Sequence, residues 1–119
     1  MASWAALNAS ERPHELGALD RATEEARDAE NTALYEQALR LQQQRETEQA
    51  KAIYQQLLHA DAGLNARLEY LCNKNLAAIE REGRAFDEAL EYFANALELD
   101  ATDVVVWYQM ASTALETGK

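Results

Sequence analysis

The chain has 119 residues, 21 of them acidic and 11 basic, and a net charge of −10. That is one domain's worth of chain, and its acidity argues against direct binding to bare DNA or RNA while suiting basic partners. A single cysteine, Cys72, excludes an intrachain disulfide and fits a reducing compartment.

No apolar run is long enough to cross a bilayer, and the start, Met1 to Ser10, lacks the basic region of a signal peptide. Ala, Leu, Glu, Gln and Arg dominate, with only four Gly and one Pro. These are good helix formers, so the expectation is an all-α chain.

Residues 1–18 read as an N-terminal extension. Trp4 and Leu7 make a short apolar strip, placed to pack on the first helices or on a partner. Ser10, Pro13 and Gly17 mark residues 10–17 as a linker. Leu19 to Ala29 is charged, with only Ala22, Ala26 and Ala29 on its apolar face, and extends the next helix toward its N-terminus.

Thr32 to Gln44 is the first firm helix, with Leu34, Ala38 and Leu41 in one stripe. The polar run Gln42 to Glu46 makes a bend. Glu48 to His59 is its partner helix, and Ala50, Ile53, Tyr54, Leu57 and Leu58 bury against that stripe. His59 has no second ligand at metal spacing.

Asp61-Ala62-Gly63 breaks the helix, and residues 61–69 read as an insertion between units, or as extra length in one of the flanking helices. Leu68 to Arg81 carries Leu68, Leu71, Cys72, Leu76 and Ile79, with Cys72 as a small core residue and Lys74 and Asn75 at a solvent-facing or concave position. After a turn at Gly83 to Phe86, Asp87 is placed to cap the helix Glu88 to Leu99. Asp100 to Asp103 turn the chain into Val104 to Glu116.

The small residues fix a register. Ala77, Ala89 and Ala96 fill positions 8, 20 and 27 of a 34-residue helix-turn-helix unit, with Phe86 at 17 and Phe93 at 24. That is the spacing of the tetratricopeptide (TPR) repeat, an αα superhelix. Glu80 at position 11 is a weak spot, where a large apolar residue is usual.

Residues 19–60 form a degenerate first unit with Ala38 at 8, Ala50 at 20 and Tyr54 at 24; Arg45 stands at 15, where Gly is usual. Residues 70–103 form the second. Residues 104–119 form the first helix of a third, with Trp107 at 4, Met110 at 7 and Ala111 at 8. About two and a half repeats result, and the chain stops where another helix is due, as at a boundary inside a longer protein. The last helix then lacks its partner, and self-association through it is expected.

No phosphate loop, cysteine pair or Ser-His-acid set appears, so neither an enzyme nor a cofactor is expected. A binding or scaffolding solenoid remains, its first helices lining a groove. Trp4, Leu7, Lys74, Asn75, Trp107 and Met110 are the candidate interaction residues.

Several strings carry a further resemblance: Leu7-Asn8-Ala9-Ser10, Ala33-Leu34-Tyr35, Lys74-Asn75-Leu76-Ala77, Ala89-Leu90-Glu91-Tyr92-Phe93 and Thr102-Asp103-Val104 with Trp107-Tyr108. Their order, from Ala6 to Leu115, resembles the amino-terminal end of the cabin family, the calcineurin-binding TPR proteins. The fungal counterpart is the third subunit of the histone-regulation (HIR) complex.

The resemblance implies a nuclear scaffold within a chromatin-regulating complex for replication-independent nucleosome assembly. Its implied partners are a WD-repeat histone chaperone and a ubinuclein-type subunit. Residues 61–67 depart from the family pattern by being shorter, and no family motif assigns a binding residue here.

The competing reading is a co-chaperone-like TPR module that binds a peptide ligand. Such modules hold carboxylates with Lys, Asn and Arg on their first helices. Lys74 and Asn75 suggest it, while the net acidity opposes an acidic peptide.

Overall fold

The computed structural model describes the backbone of residues 2–118 and the side chains of residues 17–59 and 61–118. Five α-helices are present among them: α1 Ala2–Gln43, α2 Thr47–Leu58, α3 Ala66–Glu82, α4 Phe86–Leu99 and α5 Val104–Glu116. A 3-10 turn, Ala60–Ala62, lies between α2 and α3. The chain divides into two units, Met1–Glu30 and Asn31–Lys119.

The first unit is helical and its described side chains are nearly all exposed. Besides the backbone bonds of the helix, the Thr23 hydroxyl donates to the Leu19 carbonyl at 2.9 Å. The linker expected over residues 10–17 is not a break, because α1 runs through Ser10, Pro13 and Gly17. A proline removes one amide donor from a helix, and strong helix formers on both sides can carry that loss. Trp4 and Leu7 lie outside the described side chains.

The second unit is a row of helical hairpins. The end of α1 packs on α2, α2 on α3, α3 on α4 and α4 on α5. Its helices meet at alanines: Ala38, Ala50, Ala77, Ala89 and Ala96 are all 0% exposed. Large side chains fill the space beside these contacts. Tyr54, Leu57, Cys72 and Leu76 form one cluster; Tyr70, Phe93, Leu97 and Val106 form a second. Each large apolar side chain so buried contributes about 1.5–3 kcal/mol. The Tyr54 hydroxyl donates to Gln42 Oε1 at 2.7 Å, which satisfies the one polar atom of that buried ring.

The two hairpin turns have the same geometry. Arg45 and Arg84 are both left-handed, with φ of 65° and 63°. In the first turn Glu46 N–H donates to Leu41 O at 2.8 Å and Arg45 N–H to Gln42 O at 3.1 Å. In the second, Ala85 N–H donates to Glu80 O at 2.8 Å and Arg84 N–H to Arg81 O at 3.0 Å. Each pair satisfies the last carbonyls of its helix through one left-handed residue.

Gly118, 34 residues after Arg84, is left-handed as well, at φ 77°. Together these features are consistent with a helical-repeat arrangement. The helix after the second turn starts at Phe86 with Ala85 as its N-cap, so Asp87 lies in the first turn and not at the cap. Phe86 is half-buried, and the Arg84 guanidinium sits over its ring at 5.1 Å.

The extra residues between the hairpins go into the 3-10 turn and into α3. Asn65 caps α3 by accepting from Leu68 N–H at 2.9 Å, so the helix starts before Tyr70, the expected unit start. The Asn31 amide donates to Ala62 O at 3.0 Å and ties the 3-10 turn to α1.

Glu80, where a large apolar residue was expected, is buried beside a cation. Its side chain is 9% exposed and its Oε1 lies 2.6 Å from the Lys51 ammonium on α2. No other donor reaches that oxygen among the described residues. The bond to Glu80 holds the Lys51 pKa above its ordinary 10.5. A raised amine pKa means stability present below pH 10.5 and lost as pH rises past the folded value.

Two stability outcomes follow. Lys51→Met leaves the Glu80 carboxylate buried and unpaired, and should cost about 2–3 kcal/mol in urea unfolding, somewhat less than a fully buried pair. Lys51→Met with Glu80→Leu should recover most of it; a double variant as unstable as the single would refute a buried pair. Arg45→Gly should raise stability by about 0.5–1 kcal/mol, since glycine removes left-handed strain at an entropic cost. Arg84→Gly should gain less, because it also loses the contact with Phe86; a drop in melting temperature at Arg45→Gly would contradict this.

Candidate interaction face

Helix α3 is the middle of three first helices, and its polar side chains reach both neighbours. Toward α1, the Asn75 amide donates to the Tyr35 hydroxyl at 3.1 Å and to its own helix at Leu71 O at 2.9 Å. Toward α5, the Lys74 ammonium lies 3.4 Å from Asp103 Oδ2. One helical turn after Ala77, Arg81 Nη2 donates to Ser112 Oγ at 3.1 Å and lies 3.9 Å from Glu116. These bonds tie the first helices to one another directly.

Asp103 is the most heavily used group on this face. One of its oxygens accepts from Val105 N–H at 3.0 Å and Val106 N–H at 3.4 Å, which caps α5. The other accepts from the Tyr70 hydroxyl and faces Lys74. The Tyr70 bond holds the Asp103 carboxyl below its ordinary 3.8, with Lys74 adding to the effect. Burial and the same bond push the Tyr70 hydroxyl up to about 12.

Arg67, in the first turn of α3, is exposed and stacks over the Tyr70 ring at 5.8 Å. It has no carboxylate within ion-pair distance among the described residues. Arg67, Lys74 and Arg81 are seven residues apart and so share one face of α3. That spacing was readable in the sequence. It was overlooked because Arg67 was assigned to an insertion.

Lys74 and Asn75 are thus brought to one face, each already engaged. Trp107 and Met110 lie elsewhere on α5. Met110 packs against the second core cluster, and the Trp107 indole N–H donates to Ala101 O at 2.8 Å. Ala111, expected among the packing residues, is exposed, because no helix follows α5 among the described residues to cover it. Val104, Tyr108 and Leu115 are 75%, 74% and 80% exposed.

A cleft of about 430 Å³ opens where α3, α4 and α5 meet, lined by Arg81, Arg84, Phe86, Gln109 and Glu116. Cys72 is buried, and burial pushes its thiol up to about 12, so it is not a nucleophile at neutral pH. Among the described residues, no group of three His, Cys, Asp or Glu side chains is placed to hold a metal ion, and no helix is long and apolar enough to cross a membrane. No model of a known protein family matches the chain.

The depressed Asp103 pKa fixes a pH effect. Stability from this carboxylate is present above its ordinary 3.8 and lost as pH falls below it. Asp103→Asn keeps a capping side chain but not the charge. It should melt below the unmodified chain at pH 7, and the gap should narrow as pH falls below 3.8. A gap of constant size across that range would show that the charge contributes nothing.

Proposed function

We propose that the chain is a TPR-type module that binds a segment of another protein along the first helices, with α3 at the centre. The observation that carries this reading is the polar row on α3, tied to α1 and α5 and still partly open to solvent. The matching left-handed turns at Arg45 and Arg84, with buried alanines in each hairpin, support the TPR assignment. In such a repeat the first helices form the surface left over for a ligand.

The face has the makings of a binding surface. Lys74 keeps a side-chain exposure of 36% and Arg81 of 31%. Their carboxylate partners stand at 3.4 and 3.9 Å, longer than the charge-assisted optimum of about 2.7–2.9 Å. Tyr108 and Val105 add exposed apolar area on α5.

The nuclear histone-chaperone setting rests on the string resemblance alone. Co-purification of the chaperone and ubinuclein-type subunits from nuclear extract is its measurement. Segment binding needs no such setting.

The test is a displayed peptide library panned against the immobilised chain. Enriched peptides should bind with Kd of about 1–100 µM by calorimetry. Tyr108→Ala with Lys74→Ala should weaken them at least about tenfold, a loss of roughly 1.4 kcal/mol. Enrichment no better than on an unrelated helical protein, or binding indifferent to both substitutions, would remove the basis for this reading.

A further inference from the structure

We infer that a cleft between α2, α3 and α4 takes an arginine side chain of a partner protein. It opens on a different face of α3 from Lys74 and Arg81. It is therefore a second surface, and it does not depend on the segment-binding reading above.

The cleft measures about 510 Å³, within the range of ligand sites, about 300–1,000 Å³. Glu69 and Asn73, one turn apart on α3, form one wall. Tyr92, Asn95 and Leu99 share a face of α4 and form the other. Leu58, the last residue of α2, borders it, and Glu98 adds a second carboxylate. The clefts at the two hairpin turns contain arginine, Arg45 in one and Arg81 with Arg84 in the other. This one is lined by two carboxylates and no cation. Neither Glu69 nor Glu98 is in an ion pair among the described residues.

Two carboxylates alone would be ordinary acidic surface, and Asn73 makes the difference. It is 4% exposed. Its Nδ2 donates to the Glu69 carbonyl at 2.9 Å, which fixes the amide's orientation, since a carbonyl only accepts. Its Oδ1 accepts from none of the described residues. An acceptor so placed gains from a donor that enters the cleft. The aromatic wall is held in place as well. Tyr92 packs against both core clusters, and the Gln55 amide on α2 reaches its hydroxyl at 3.5 Å.

These groups select among cations. The cleft offers acceptors on both walls and the flat face of a ring. A guanidinium carries five donors in a plane, accepts nothing and stacks on aromatic faces. It can meet a carboxylate and the Asn73 oxygen at once while lying against Tyr92. A lysine ammonium supplies charge but neither the fork nor the plane. Leu58 and Leu99 give the methylene stem apolar surface to cover.

The probe is the peptide acetyl-Gly-Arg-Gly-amide, titrated into the full chain while the side-chain amide signals of Asn73 and Asn95 are followed by nuclear magnetic resonance. Two comparison peptides carry lysine or citrulline, the latter having the shape of arginine without its charge. The arginine peptide should shift both signals saturably, with Kd of about 0.1–1 mM. Citrulline should bind about tenfold or more weakly, and lysine about threefold or more weakly. Raising salt from about 20 to 200 mM should weaken the arginine peptide several-fold. Glu98→Gln should also weaken it about threefold or more. Glu98 is exposed and in no ion pair, so circular dichroism should show an unchanged fold for that variant.

Lysine or citrulline binding as well as arginine overturns the inference. So do shifts centred on α5 instead of on Asn73 and Asn95, and binding indifferent to Glu98→Gln. No shift with any peptide overturns it too and leaves the segment-binding reading standing, because that reading is decided at Lys74 and Tyr108.

Discussion

The close approach of helices at alanine is the constraint on which the second unit depends. Ala38, Ala50, Ala77, Ala89 and Ala96 stand at the helix contacts, each with no exposed surface. Because the helices are close there, the residues beside each alanine must be large, and Tyr54, Leu57, Leu76 and Phe93 fill that space. A bulkier residue at an alanine would separate the axes and empty the flanking clusters together, since cores packed to crystal density do not deform locally. The hairpin turns serve the same end. A single left-handed residue reverses the chain in so few residues that the two helices are antiparallel and in contact from their first turn.

Adjacent hairpins need a second device to fix how they slide on one another, because apolar surfaces tolerate slippage. Lys51 and Glu80 supply it between α2 and α3. A slip of one residue would leave the buried Glu80 carboxylate without its partner, which costs more than a shifted methyl contact. The tie from Asn75 to Tyr35 acts between α3 and α1 in the same way, and the one from Arg81 to Ser112 between α3 and α5. Hydrophobic burial thus holds the hairpins together, and polar pairs set their register.

The division of labour explains what was legible in the sequence. Alanines and large apolar residues recur at the helical period, so the positions of α2 to α5 could be read from spacing. At the turn, Arg45 stands where glycine is usual, and the structure gives it the left-handed conformation glycine would have taken. The partner of Glu80 was not legible, because Lys51 is on another helix, 29 residues earlier. Pairings across helices leave no periodic trace. The same limit hid Asp103, whose role depends on Tyr70 and Lys74 arriving from α3. The continuity of α1 through Pro13 was missed for a different reason, since one proline was given the weight of a boundary.

Asp103 also links the candidate face to the stability of α5. Its two oxygens have separate tasks: one caps the helix, and the other accepts from Tyr70 and faces Lys74. The contact with Lys74 can therefore break without touching the cap. At the far end of the row, Glu116 leaves Arg81 only at the cost of a long, exposed pair. Both contacts of the row with α5 are partly exposed pairs, and such pairs are individually weak. The cap, the Tyr70 bond and the buried Val106 do not depend on those pairs. They hold α5 on its neighbours whether or not the two surface pairs are formed, so the docking of α5 rests on burial and capping and its surface charges are left adjustable.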